Sequence, residues 1–346
     1  TENPQRSLSN NSICYTEKPD MGAFLREWLA IYESRSGERG IFNRQACGDM
    51  LPERRDKDYD FGCNPCSEIV LRPAEFCNLT EVVAKPDDTL ESLNDKVRLA
   101  TILGTLQSCL TDFRFLRKMW KDNCEEERLL GVSITGIYDS PVLRNSSAED
   151  LNDLREWAIL VNEKWAKILN INPSTSITCV KPSGTVSQLC DSGSGIHPRW
   201  ASHYIRRVRN DKKDPISEAM IEAGIPYEED KLNSEAWVFS FPMKSPRKSL
   251  TRHEVGPIQQ LELWKHFAVN WWIWENWEIV NGISFLPSSD EGHIYDQAPY
   301  EDCTIEEYKA LKKKIPSSID WKAIKEVIDV TTSSQELACV GDNCEI

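Results

Sequence analysis

Apolar residues recur at helical spacing in several stretches of the chain, with capping residues at their starts. Asp20 has the N-cap position of the stretch 20–34, one face of which carries Phe24, Trp28 and Ile31 or Tyr32. Ser147 and Asp150 have the spacing of a capping box. The pattern predicts helices over residues 20–34, 89–120 (interrupted near Gly104), 147–169 and 257–280, and then two short helices, the first opened by Thr304.

Short apolar or alternating runs stand between these stretches and predict strands. They cover residues 67–71, 130–137, 176–180, 237–241 and 283–286. Because strands that alternate with helices are typical of parallel sheets, we expect an α/β fold with a mostly parallel sheet. Residues 44–61 are charged and irregular and are predicted as a loop, and the small, polar segment from Thr331 onward is expected to be mobile.

The predicted helix 257–280 is rich in tryptophan. Its five tryptophans at near-helical spacing are Trp264, Trp271, Trp272, Trp274 and Trp277. A packed core face is the favoured interpretation, and a platform on which nucleobases stack is the other.

Composition narrows the class of protein. The 346 residues carry a net charge of −14, which disfavours a nucleic-acid polymer as partner. No apolar run approaches the ~18 residues of a membrane span, and no secretory leader is visible, so we expect a cytoplasmic protein with no membrane partner. One basic cluster, either a solvated face or a phosphate contact, comprises Arg199, Arg206, Arg207, Arg209, Lys212 and Lys213.

Candidate chemistry concentrates around Cys66. In an extended segment, Asn64, Cys66 and Glu68 would share one face. Glu68 would then take a proton, Asn64 would hold a hydroxyl, and Cys66 would act on the atom between them. Cys77 follows downstream, and Cys339 and Cys344 near the C-terminus add a pair that can supply electrons by thiol exchange.

The twelve cysteines, without a secretory leader, indicate reduced cytosolic thiols rather than a disulfide scaffold. Zinc is the main alternative, because Cys63 and Cys66 have the spacing of a metal-binding pair, but no second close pair stands nearby. The others are interpreted as buried or incidental thiols: Cys14, Cys47, Cys63, Cys109, Cys124, Cys179, Cys190 and Cys303.

Residues 181–185 have the features of a phosphate site. They follow the predicted strand 176–180, and Pro182 favours a helix start. Gly184 would let a phosphate approach the backbone, while free N–H groups and the hydroxyls of Ser183 and Thr185 would point at it. Alone this is a modest signal.

Together and in this order, these motifs resemble the catalytic subunits of ribonucleotide reductases. The closest likeness is to the monomeric, adenosylcobalamin-dependent ribonucleoside-triphosphate reductases, and it runs through residues 37–42, 64–68, Cys77, 181–185 and the terminal cysteine pair. The resemblance implies that residues 1–330 form the second half of a ten-stranded α/β barrel, with the radical cysteine on a finger loop. It also implies a flexible, redox-active tail over residues 331–346, with the first half-barrel outside this chain.

The resemblance assigns roles to the candidate residues. Cys66 would become a thiyl radical that removes the 3′ hydrogen of the ribose, Glu68 would accept the 3′-hydroxyl proton, and Asn64 would orient the sugar hydroxyls. Cys77 would be one of two thiols that reduce the sugar, its partner lying on the other half-barrel. Ser183, Gly184 and Thr185 would hold substrate phosphate with Lys181 as charge partner, and Cys339 and Cys344 would carry electrons from thioredoxin.

The radical generator is also inferred within the resemblance. Reductases with a separate radical subunit carry an adjacent Tyr–Tyr pair, whereas Tyr295, Tyr300 and Tyr308 stand apart here. The glycyl-radical type has a C-terminal Arg-Val-Cys-Gly-Tyr-like segment, which this sequence lacks. Adenosylcobalamin is therefore the expected cofactor.

We therefore expect radical reduction of ribonucleoside triphosphates to deoxyribonucleoside triphosphates, in combination with an N-terminal half. Two alternatives remain open: a thiol-redox or zinc-binding module without nucleotide chemistry, and a non-catalytic remnant that docks to a complete reductase.

Overall fold

The computed structural model describes residues 11–34, 39–268, 282–284, 297–324, 339–340 and 343–344. The strands are β1 Asn11–Tyr15, β2 Arg39–Asn43, β3 Gly62–Cys63, β4 Val70–Leu71, β5 Asn78–Val83, β6 Leu130–Thr135, β7 His203–Asp211, β8 Tyr227–Glu229, β9 Ala236–Lys244, β10 Gly282–Ser284, β11 Tyr300–Asp302, β12 Cys339–Val340 and β13 Asn343–Cys344. The α-helices are α1 Met21–Ser34, α2 Arg44–Met50, α3 Leu90–Gln107, α4 Lys118–Glu127, α5 Pro141–Arg144, α6 Ala148–Leu169, α7 Thr185–Leu189, α8 Pro215–Glu222, α9 Pro257–Ala268 and α10 Ile305–Lys312.

A small sheet and helix α1 form the N-terminal layer. Strand β2 lies between β1, which is parallel to it, and β10, which is antiparallel. Asp20 Oδ1 accepts the Ala23 N–H at 3.0 Å and caps α1, as the sequence predicted. Phe24 and Ile31 of the helix pack against Ile41 of β2.

The main core lies between the parallel strands β5 and β6 and the helices α3 and α6. Thr178 extends this sheet through a bridge to Val132. Capping boxes open both helices, and the box at Ser147 and Asp150 is the predicted one. The buried cluster includes Val82, Leu93, Val97, Leu130, Val132, Leu154, Ala158 and Ile177. Each fully buried leucine of this kind contributes roughly 1.5–3 kcal/mol.

A second sheet is antiparallel throughout, in the order β11-β7-β9-β8. The prediction of a mostly parallel sheet therefore holds for β1–β2 and β5–β6 and is wrong for this part. Strand β7 was not predicted from the sequence, because its three arginines, Arg206, Arg207 and Arg209, are typical of a solvated segment rather than of a strand in a sheet.

The charged stretch 44–61 is only partly a loop. It begins with helix α2, where Asn43 Oδ1 accepts the Ala46 N–H at 3.3 Å. Further along, the Arg55 side chain is buried rather than solvated. The sequence prediction missed both features because charged residues have no apolar periodicity.

The stretch predicted as one helix over residues 89–120 is two helices, with the break at residues 108–117. Helix α3 continues through Gly104 without a break. This glycine serves close packing, since a Cβ there would lie 3.4 Å from the Leu130 side chain. The predicted strand 67–71 is shorter, and of the stretch 176–180 the structure shows only the bridge at Thr178.

Some predictions fall outside the described residues. They are the helix beyond Ala268 with Trp271, Trp272, Trp274 and Trp277, the strand beyond Ser284, and the segment from Thr331 apart from β12 and β13. Among the described helices, none combines the length and apolar character that crossing a membrane requires.

Candidate active site

The Asn64–Glu68 motif forms the tip of the β3–β4 hairpin. The Ser67 N–H donates to the Asn64 carbonyl at 2.9 Å, and the Ile69 N–H donates to Asn64 Oδ1 at 3.0 Å. Ser67 has a φ of 64°, the left-handed region. The motif is therefore a tight turn, and the prediction of an extended segment was wrong, because the Asn64 side chain itself closes the turn.

An ion pair joins this turn to the predicted phosphate loop. Lys181 Nζ lies 2.9 Å from Glu68 Oε1, and the Glu68 side chain is 4% exposed. Burial alone would lower the pKa of Lys181, but the hydrogen bond and charge of Glu68 raise it. Glu68 Oε2 is buried and has no hydrogen-bond partner among the described residues, so one carboxylate oxygen remains available.

Cys66 and Cys77 share this electrostatic environment. Burial, and then the charge of Glu68, raise the pKa of the Cys66 thiol, while Lys181 opposes the shift. The same influences raise the pKa of Cys77 to about 11. Both sulfurs therefore carry their hydrogen at neutral pH. The structure brings together Cys66, Glu68, Cys77 and Lys181, as the motifs predicted.

Cys179 is a further thiol of this environment, although the sequence interpretation took it as incidental. Burial, followed by the charge of Glu68, raises its pKa, and Cys77 also contributes. A Cβ at Gly131 would overlap the Leu79 side chain and lie 3.2 Å from the Cys179 sulfur, so this glycine leaves room for both. Strand alternation would have placed Cys179 on the same face as Lys181.

The loop 181–185 leads into helix α7, which begins at Thr185. The Ser183 hydroxyl is buried and has no hydrogen-bond partner among the described residues. Apart from its two chain neighbours, no described residue places an atom within 4 Å of the position that a Cβ would have at Gly184. A buried hydroxyl without a partner, beside open space at the backbone, suits a ligand with acceptor oxygens.

The two terminal cysteines face each other through their backbones. Strands β12 and β13 are antiparallel, and their register pairs Cys339 with Cys344. Directly opposed residues in such a ladder have Cα atoms about 4.5–5.5 Å apart, which lies within the range that a disulfide spans.

The basic cluster at residues 199–213 is already paired. Arg199 Nη2 lies 2.9 Å from Asp139 Oδ2, and Arg209 Nε lies 2.6 Å from Asp230 Oδ2. The other pairings are Arg206 with the Tyr300 hydroxyl, Arg207 with Glu301, Lys212 with Glu229 and Lys213 with Glu235. These contacts give the phosphate interpretation of the cluster no support.

No family model matches the chain. It is similar to the adenosylcobalamin-dependent ribonucleoside-triphosphate reductase of Euglena gracilis, with 26% identity over 89% of this chain and 46% of that protein. A probable reductase of the same name from Dictyostelium discoideum is 27% identical over 99% of this chain and 49% of its own length. A third, from Lacticaseibacillus paracasei, is 26% identical over 69% of this chain.

Among solved structures, a B12-dependent (class II) ribonucleotide reductase is similar with a TM-score of 0.66 and 21% identity, over 90% of this chain and 50% of that one. The fold is therefore the α/β fold of that class of enzyme. The resemblance to adenosylcobalamin-dependent ribonucleoside-triphosphate reductases that the motifs predicted is confirmed. The chain spans about half the length of the first two curated relatives.

Proposed function

We propose that this chain is the C-terminal half of the catalytic part of an adenosylcobalamin-dependent ribonucleoside-triphosphate reductase, which makes deoxyribonucleotides for DNA replication in the cytoplasm. Residues 1–330 would form the second half of the ten-stranded α/β barrel, with the β3–β4 hairpin as its finger loop. Residues 331–346 would be a flexible redox tail. The observation that carries the proposal is the assembly of Cys66, Cys77 and Lys181 around the buried carboxylate of Glu68.

The roles follow from the chemistry of these groups. As a thiyl radical, Cys66 removes the 3′ hydrogen of the ribose, and Glu68 accepts the 3′-hydroxyl proton through its unpartnered oxygen. The 2′-hydroxyl leaves as water. Cys77 and a partner thiol on the N-terminal half supply two electrons and two hydrogens and become a disulfide, which balances the reduction. Asn64 keeps its amide N–H groups for the sugar hydroxyls, since its oxygen is engaged in the turn.

The substrate triphosphate binds at residues 181–185. The Ser183 hydroxyl, the open backbone at Gly184 and the Thr185 hydroxyl offer donors to phosphate oxygens. Lys181 is the first residue of this loop and pairs with Glu68. Its charge compensates both the Glu68 carboxylate and the substrate phosphate.

The thiol of Cys66 is the feature of this chain that fits a reaction with adenosylcobalamin. Partial burial and the charge of Glu68 raise the pKa of Cys66 and so keep the hydrogen on its sulfur, which is the hydrogen that a carbon radical abstracts. When bound, adenosylcobalamin supplies a 5′-deoxyadenosyl radical. Cys66 is the residue that would face the cofactor, and the proposal assigns no corrin contact to this chain.

Cys339 and Cys344 re-reduce the Cys77 disulfide by thiol exchange and are themselves reduced by thioredoxin. Their opposed backbone positions suit a pair that closes and opens. The alternative of a thiol-redox or zinc-binding module is not favoured: the described residues contain no group of three or more His, Cys, Asp or Glu side chains placed to hold a metal, and the relatives are reductases.

The test combines this chain with an N-terminal half-barrel from a reductase of this type. We expect ribonucleoside triphosphate reduction that requires both halves and adenosylcobalamin, and that Cys66→Ser abolishes while substrate affinity is retained. A Cys109→Ser variant is the matched control, because Cys109 is an exposed thiol in the turn that follows helix α3. Turnover by the Cys66→Ser enzyme within tenfold of the parent would refute the proposal.

A further inference from the structure

Four ionisable side chains, those of Arg55, Arg72, Glu75 and Glu127, are buried in contact with one another. Arg55 donates from Nε to both Glu127 oxygens at 3.0 and 3.1 Å, and from Nη2 to Glu127 Oε2 at 2.6 Å and Glu75 Oε2 at 3.4 Å. Arg72 Nη2 lies 3.1 Å from Glu127 Oε1. None of the four residues is more than 4% exposed. Burying so many charges is costly unless each has a fixed partner.

The cluster connects the segments that carry the reactive residues. Arg55 Nη1 donates to the Val70 carbonyl of the hairpin at 2.9 Å. Glu75 stands two residues before Cys77, and its Oε2 accepts the Arg72 backbone N–H at 2.8 Å. The Glu127 carbonyl accepts the Thr175 N–H at 2.9 Å, at the start of the segment that leads to Lys181.

Glu75 and Glu127 are buried beside the same guanidinium, since Arg55 Nη2 lies 3.4 Å from Glu75 Oε2 and 2.6 Å from Glu127 Oε2. Burial, and then Glu127, raise the pKa of Glu75 to about 9, whereas Arg55 and Arg72 keep Glu127 ionised. Glu75 Oε1 is buried and has no hydrogen-bond partner among the residues that the structure describes.

The remaining charged and titratable groups around the cluster agree with this assignment. Glu126 is 60% exposed and pairs with Arg72 at 3.0 Å, and the Tyr59 ring lies 3.7 Å from the Arg72 guanidinium carbon. Cys124 accepts the Phe76 N–H at 3.3 Å. Two arginine charges thus face the carboxylates of Glu126 and Glu127, and a neutral Glu75 completes the balance.

We propose that Glu75 is a positioning residue for the reduction: its contacts with Arg55 and Arg72 fix the segment that carries Cys77 relative to the hairpin that carries Cys66 and Glu68. Glu75 does not touch the substrate. It acts because the two sulfurs must approach one ribose, and a displacement of about 1 Å in such a site costs roughly 10²-fold in rate. The inference rests on the proposed function for its kinetic consequence and on the contacts alone for its geometry.

The first test needs no activity. Glu75→Ala, Glu75→Gln and the control Glu126→Gln are made in the full chain, and iodoacetamide labelling of Cys77 is followed by mass spectrometry at pH 8, with the thermal transition as a check on folding. We expect Glu75→Ala to label at least about tenfold faster. Glu75→Gln keeps the parent rate, because an amide oxygen accepts from Arg55 and Arg72 as the carboxyl oxygen does. Glu126→Gln also keeps it, because Glu126 is 60% exposed and does not contact Glu75.

The second test uses the complete reductase. Glu75→Ala lowers kcat at least tenfold with KM for the nucleotide within threefold, and Glu75→Gln restores kcat to within twofold. The parent loses activity as pH rises through about 9, where Glu75 ionises beside Glu127, and Glu75→Gln moves this loss to higher pH.

Equal labelling and equal kcat in Glu75→Ala and the parent would overturn the inference, as would failure of Glu75→Gln to restore kcat. An inactive parent with the expected labelling pattern would refute the proposed function and leave the positioning role standing.

Discussion

At the scale of the residue, the protonation of the two central sulfurs decides what chemistry they do. Cys66 and Cys77 are half-buried beside Glu68, and partial burial and the charge of Glu68 raise the pKa of both thiols. A thiolate would be a nucleophile, whereas a thiol donates a hydrogen atom. The environment therefore favours hydrogen-atom chemistry over nucleophilic attack.

The raised pKa of Cys77 predicts that iodoacetamide labels this thiol more slowly than the exposed thiol of Cys109. Cys109 is exposed and reacts with iodoacetamide first. With a pKa of about 11, Cys77 is a thiolate in only about 10⁻³ of molecules at pH 8, and its labelling rises roughly tenfold per pH unit up to that pKa. Peptide mass spectrometry between pH 7 and 11 measures both rates. Cys77 labelled as fast as Cys109 at pH 8 would contradict the burial argument.

The sequence could predict which residues meet in the site but not how they touch. Cys66, Glu68, Cys77 and Lys181 stand in recognisable motifs, so their assembly was expected. The 2.9 Å contact between Lys181 and Glu68 joins residues 113 positions apart, and neither motif alone indicates it. Glu75 was missed because a charged residue in a polar stretch is usually solvated, and its burial depends on partners elsewhere in the chain.

At the scale of the element, the helices with capping residues were predictable and the short strands were not. Ser147 and Thr304 define helix starts by local hydrogen bonds, which a sequence contains in full. The hairpin strands β3 and β4 have two residues each, too few for an alternating pattern. Their pairing is set by the turn between them.

The turn makes Asn64 a structural residue as well as a candidate for substrate contact. Asn64→Ala leaves the Ile69 N–H without its acceptor, which costs about 1–3 kcal/mol in the free energy of unfolding. Asn64→Asp keeps an acceptor oxygen and retains most of the stability. Urea unfolding measures the difference, and amide exchange at Ile69 locates it. Unchanged exchange at Ile69 in Asn64→Ala would mean that the turn holds without this bond.

At the scale of the whole molecule, the proposed half-barrel divides the reduction between two halves. This chain supplies Cys66, Glu68 and Cys77, and the partner thiol of Cys77 would come from the N-terminal half. Cys179 does not replace that partner. The strand β6 separates the segment of Cys179 from β5, which Cys77 directly precedes, and two strand spacings of about 4.8 Å exceed the span of a disulfide.

Electrons must then reach a disulfide enclosed in the barrel, and the terminal cysteines are the proposed carriers. Changing both Cys339 and Cys344 to Ser in the complete enzyme abolishes turnover driven by thioredoxin and leaves much of the turnover driven by dithiothreitol. A small dithiol enters the site and reduces the Cys77 disulfide directly, whereas a folded thioredoxin is too large to reach it. Both reductants are compared on the same double variant, with Cys109→Ser as the control for loss of a thiol. Equal loss with both reductants would mean that the tail cysteines act inside the site, and equal retention would mean that electrons take another path.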